Sequence, residues 1–226
     1  MKQLFFPNRD VAAIQAMNLT LIGTIIVLYE VDPASGANMA ALVAATIFAT
    51  TLIPARLLGL PWLKRLEDDL LQVARNGKWL GIWTCAWFVF YTSLALPVYY
   101  GAQFSPIQLL QRETVLLSLS ILIFVVLLSL SNKWSYAHVK YWKQINMLIW
   151  LAVPFLFTHF WLAARVFSQT VGVFEAPGIV LGLAAVAGVS GVFRKKRDYF
   201  AWWRIWLLIF GAFTSALVVW LYPAIL

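Results

Sequence analysis

One titratable side chain, His159, lies well inside a predicted membrane helix, in the apolar run from Ile145 to Leu162. An imidazole in hydrocarbon is costly, so its default reading is a functional residue with a partner. Imidazole is also a common ligand of haem iron and other metals. Two further residues share its setting. Tyr91 lies 12 residues past Trp79 on the third expected span, about 18 Å along a helix, and His159 lies 14 residues past Ile145 on the fifth, about 21 Å. Both reach a similar depth, in the half of the bilayer away from the cytoplasm. Asn146 lies on the same helix as His159, about 20 Å nearer the cytoplasm. Polar residues at two levels of one helix are what a two-site relay across a membrane needs.

Along the third span Trp79, Trp83, Trp87 and Tyr91 recur every four residues and so share one slowly drifting face. That face is either bulky packing or a wall against a flat cofactor. Six further tryptophans, Trp62, Trp134, Trp142, Trp202, Trp203 and Trp206, sit near charged loops, where an aromatic belt belongs.

The elements that must position these residues follow from composition. The chain of 226 residues is 62% hydrophobic and 12% charged, more apolar than a soluble domain of this size can hide. Apolar runs of membrane-spanning length predict seven helices, at about Ala13–Tyr29, Met39–Leu58, Trp79–Tyr99, Thr114–Leu130, Ile145–Ala164, Gly178–Phe193 and Trp203–Tyr222. Short loops join them, so residues 1–226 form one transmembrane domain, an all-α integral membrane bundle with no soluble domain. In the segment between Leu60 and Gly77, apolar residues at helical spacing oppose Lys64, Arg65, Glu67, Asp68 and Asp69. This predicts a cytoplasmic amphipathic helix over about 61–76, lying on the membrane surface or docking a partner.

The net charge of +8 is explained by topology rather than by nucleic acid. Lys2, Arg9, Arg56, Lys64, Arg65, Arg75, Lys78, Lys133, Lys140, Lys143, Arg194, Lys195, Lys196, Arg197 and Arg204 fall on one side of the seven-span arrangement, leaving Arg112 and Arg165 on the other. The positive-inside rule then places the N-terminus in the cytoplasm and the C-terminus on the opposite side. The run Arg194–Arg197 anchors that topology and favours anionic headgroups. A cleaved signal peptide is compatible with the small residues Ala34–Ala37, but the charge pattern works with the first helix retained. The single cysteine, Cys85, excludes an internal disulfide and reads as a small packing residue. In the sixth span Gly178, Gly182, Ala184, Ala187, Gly188 and Gly191 permit close helix approach, within the bundle or between copies.

Several chemistries have no matching pattern. Phosphate-binding loops, zinc-ligand spacings and serine-nucleophile motifs are absent in suitable contexts, as is a dinucleotide-binding domain, so no flavin or NAD site is expected. No span carries the paired carboxylates or clear mid-depth break of a transporter. His138, in the loop from Trp134 to Lys143, reads as an interfacial histidine or as a ligand for a cofactor on the cytoplasmic side. No residue is assigned a catalytic role.

A family pattern is visible in Leu52-Ile53-Pro54-Ala55-Arg56, in Leu80-Gly81-Ile82-Trp83 followed by Ala86-Trp87, and in Trp142 with His159-Phe160-Trp161 further on. In order and spacing these pieces, over roughly residues 40–195, resemble the ferric-reductase-like transmembrane family, and within it the MsrQ-type haem-binding membrane subunits of bacterial methionine-sulfoxide reductase systems. The resemblance implies a ferric-reductase-like core plus an extra C-terminal helix, and b-type haem held between the third and fifth helices. It places ligands at positions 91, 146 and 159, where this chain has Tyr91, Asn146 and His159. A bis-histidine haem therefore cannot form within the membrane from this chain alone. Three outcomes are open: Tyr91 and His159 share a haem, since tyrosinate is a known axial ligand; His159 holds one alone; or the site is haem-free and His159 bonds to Tyr91 or a carbonyl.

These readings lead to three expectations. The first is electron transfer across a membrane through haem b near His159, with separate redox partners or quinone as donor and acceptor. The second is a haem-free accessory or assembly subunit of a larger membrane complex. The third is a pigment or quinone binder, with His159, Trp83, Trp87 and Tyr91 lining the pocket.

Overall fold

Inside lipid, a backbone can satisfy its own polar groups only as a helix or a closed barrel. The computed structural model describes residues 9–58, 60–99, 114, 117–124, 147–166, 175–190 and 199–225; among them there are helices and no strand. Helix α1 runs Arg9–Val31, α2 Pro33–Leu57, α3 Glu67–Arg75, α4 Gly77–Tyr99, α5 Ile149–Val166, α6 Glu175–Ser190 and α7 Tyr199–Ile225, with a 3-10 helix at Pro61–Leu66. Residues 117–124 are also helical, within the fourth expected span, most of which lies outside the described residues.

Among the described residues, three stretches are long and apolar enough to cross a membrane: Val11–Val31, Pro33–Leu57 and Trp79–Val98. On the fifth, sixth and seventh expected spans the apolar helical stretches are shorter, at Ile149–Leu162, Ala176–Ser190 and Trp202–Leu217. Large apolar side chains point outward, among them Leu19 and Val27 on α1 and Trp203, Trp206, Phe210 and Phe213 on α7, as lipid contact requires.

Helix boundaries differ from the sequence expectations where capping decides them. The second span begins at Pro33 rather than near Met39, and the loop between the first two spans shrinks to Asp32. There Asp32 accepts hydrogen bonds from the backbone N–H groups of Ala34 and Ser35, at 3.2 and 3.3 Å, and Pro33 supplies a preset helical φ at the first position. The Ser35 hydroxyl donates to the same carboxylate at 2.5 Å and, with the backbone bonds, holds it below the usual value of 3.8. The reversal is tight enough that a Cβ on Gly36 would lie 2.6 Å from the Cα of Tyr29. The surface segment forms two pieces rather than one amphipathic helix over 61–76. Glu67, Asp68 and Asp69 begin a new first turn at α3, where carboxylates complement the helix dipole.

Pairwise contacts give the helix directions. Asn18 and Tyr29 of α1 meet Trp87 and Leu94 of α4, so these two run parallel. Phe48 and Thr51 of α2 meet Phe88 and Thr84, so α2 runs opposite to α4. Trp150 of α5 meets Gly188 of α6 while Phe157 approaches Gly178, so that pair is antiparallel too. Helix α2 packs centrally against α4 and α6, and α6 leads on to α5 and α5 to α7. The α2 face is alanine (Ala40, Ala41, Ala44, Ala45), which admits the bulkier Trp87, Phe88 and Leu181 into one core.

The small residues of the sixth span divide by face. Gly188 lies directly under the Trp150 ring and has no room for a Cβ, whereas a Cβ on Gly182 would meet nothing within 4 Å. Gly188→Ala is therefore expected to destabilise the bundle by about 1–3 kcal/mol through overpacking. Gly182→Ala should be neutral or mildly stabilising, through helix propensity. Thermal unfolding of both variants in one detergent checks this; equal midpoints would refute the Trp150–Gly188 seat.

Candidate functional site between α4 and α5

Positions 84, 87, 88, 91 and 95 of α4 are buried while Ala86, Val89, Ser93 and Leu96 face outward, so the helix presents one inward stripe at three- and four-residue spacing. On α5 the inward set includes Ala152, Val153, Leu156, His159 and Phe160, with Phe157 and Trp161 outward. These stripes bring Tyr91 and His159 together. They are 2% and 1% exposed, and the Tyr91 hydroxyl and His159 Nε2 form a hydrogen bond of 2.8 Å. With a neutral imidazole, either direction of this bond places no charge in the apolar interior, as burial favours. The rings meet edge to face, with centroids 5.8 Å apart at 71°, and Phe160 closes the group at 5.1 Å from His159 and 5.8 Å from Tyr91.

The other expected site residues are placed differently. Trp87 is fully buried, yet its indole Nε1 donates to Asn18 Oδ1 of α1 at 2.6 Å, and Asn18 in turn donates to the Ile14 carbonyl at 2.7 Å. Trp83 is half-buried against the core. Asn146 and His138 lie outside the described residues. Cys85 is buried and free.

An iron bonded to both the Tyr91 oxygen and the His159 nitrogen needs about 2 Å to each, hence roughly 4 Å between the two across the metal. At 2.8 Å they are bonded to each other. The two atoms therefore stand too close together to be ligands on opposite faces of one haem iron in this arrangement. Among the described residues no group of three His, Cys, Asp or Glu side chains is placed to hold a metal ion.

Sequence reasoning missed three polar features. Asn18, an amide midway along the first span, was one visible signal. A second was the pair Thr51 and Thr84, whose hydroxyl oxygens lie 3.3 Å apart across α2 and α4. The third is a buried arginine. His159 was expected to be the one ionisable group deep in a helix, and Arg204 was counted among the topology charges; it is 1% exposed. Arg204 lies on α7, and its Nε donates to the Gly188 carbonyl of α6 at 3.2 Å; a hydrogen bond from a charged donor is stronger than one between neutral groups. On the other side of Gly188, the Trp150 ring carries the Arg56 guanidinium 5.7 Å from its centroid.

The site makes a direct energetic prediction. Tyr91→Phe leaves buried His159 without this partner and should cost about 1–3 kcal/mol. A double-mutant cycle with His159→Leu should give a coupling of about 0.6–1.7 kcal/mol, the range for hydrogen bonds between membrane helices. Additive single-mutant effects would show that the bond contributes nothing to the bundle. Compared with protein-family models, with curated proteins and with solved structures, the chain matches none.

Proposed function

We propose that this chain is a haem-free, multi-pass helical membrane protein of ferric-reductase-like architecture that serves as an accessory or assembly subunit of a larger membrane complex. The observation that carries the reading is the direct Tyr91–His159 hydrogen bond, which occupies the position the family resemblance assigns to haem iron. Trp87 is likewise engaged in a tie between helices, with Asn18. In this reading seven spans place the basic loops in the cytoplasm with the N-terminus, and the C-terminus on the opposite side. The outward apolar faces of α1 and α7 meet lipid and the partner subunit.

A b-type haem, the alternative that the resemblance carries, would supply one-electron transfer, and would require the Tyr91–His159 bond to open. The visible spectrum of the purified protein separates the two. With haem supplied during expression, the oxidised and dithionite-reduced protein should be colourless, and organic extraction should release no pigment or quinone. A Soret band that disappears in His159→Ala would overturn the haem-free reading, and an extracted stoichiometric chromophore would make the chain a pigment or quinone binder.

A further inference from the structure

The oxidisable rings of α4 are regularly spaced and end at a proton acceptor. Trp79 and Trp83 are half-buried near the start of the helix, next to the charged segment that precedes it; Trp87 and Tyr91 are buried. Each step of four residues advances about 6 Å along the axis, so the four residues stand on successive turns of one helix, Trp87 reaching α1 and Tyr91 reaching α5. Beyond Tyr91 the row stops, and there the phenol is bonded to His159 Nε2 at 2.8 Å. Loss of an electron makes a phenol strongly acidic, so its oxidation inside an apolar core needs a base within hydrogen-bond reach. His159 is that base in the tautomer whose Nε2 is unprotonated. One turn earlier the Trp87 N–H is held by Asn18 Oδ1, which stabilises positive charge passing through the indole.

We propose that Trp79, Trp83, Trp87 and Tyr91 form a one-electron path that draws oxidising equivalents from the membrane surface into the Tyr91–His159 pair, protecting the complex from oxygen-centred radicals. A peroxyl radical at the interface takes one electron from Trp79 or Trp83 and a proton from water, and becomes a hydroperoxide. The vacancy passes to Trp87 and then to Tyr91, which loses one electron while its phenolic proton moves to His159 Nε2. The products are a neutral phenoxyl and an imidazolium. A hydroquinone in the bilayer resets the pair: it gives one electron to the row and one proton to water, becoming a neutral semiquinone, and His159 returns its proton to the phenoxyl as the electron arrives. The proposal rests on the haem-free reading, because iron at His159 would take the nitrogen that must accept the proton.

The test uses the full chain in lipid nanodiscs, photo-oxidised with a ruthenium tris-bipyridine complex and persulfate, then freeze-quenched for electron paramagnetic resonance. The expected product is a tyrosyl radical that is lost in Tyr91→Phe and slower to appear in Trp83→Phe, a substitution that keeps a ring at the half-buried position. Its formation should slow in deuterium oxide, because the proton moves with the electron. Equal radical yield in wild type and Tyr91→Phe, or an unchanged rate in Trp83→Phe, would overturn the proposal. A colourless protein that gives no tyrosyl radical overturns this path alone, whereas a Soret band in the starting material overturns the haem-free reading with it.

Discussion

Lipid offers no hydrogen bonds, so a polar side chain that enters the bundle is stabilised by a partner on another helix or on its own backbone. That constraint organises α4. One inward stripe carries Thr84 beside Thr51 of α2, Trp87 bonded to Asn18 of α1 and Tyr91 bonded to His159 of α5. Tyr29 of α1 adds a fourth contact, to the Leu94 carbonyl at 3.4 Å. A rotation of α4 by one residue, about 100° in an α-helix, would break all of them together. Apolar packing in a membrane is tolerant of such rotation because lipid tails are as apolar as leucine. The polar ties are not, and they give the bundle one azimuth for α4.

Van der Waals packing works around those ties by matching small residues to large ones. The alanines of α2 let Trp87 and Phe88 sit close to its backbone, and Gly188 of α6 does the same for Trp150. In α7, a Cβ on Gly211 would come within 3.0 Å of the Pro154 ring of α5. No extended backbone seam joins α4 to α5 among the described residues, and the rings of Tyr91, His159 and Phe160 fill the space between them. The interior is thus closest where it is smallest, and aromatic where the helices stand apart.

Axial position was legible in the sequence, and rotation was not. Residue number scales linearly with height along a helix, so the equal depths assigned to Tyr91 and His159 follow from counting, and the two do meet. Azimuth depends on partners supplied by other helices. Trp87 shares spacing with Tyr91 and invited a common role, but its indole N–H reaches α1 instead, because an amide at Asn18 lies at matching height. The Asp32-Pro33 pair held a readable helix start that the small residues after it disguised as a loop. Arg204 carried a charge that the topology rule absorbed, and its acceptor, the Gly188 carbonyl, lies on another helix. The residues with unexpected roles are those whose partner lies on a distant helix.

Arg204 also bears on how α7 is seated. A guanidinium is costly in an apolar interior, and this one is 1% exposed with Nε bonded to a backbone carbonyl of α6. The bond acts as a vernier between the two helices. Sliding α7 by one turn, about 5.4 Å, would carry the charge away from Gly188, so the charge that makes this residue expensive to bury also fixes the height of its helix.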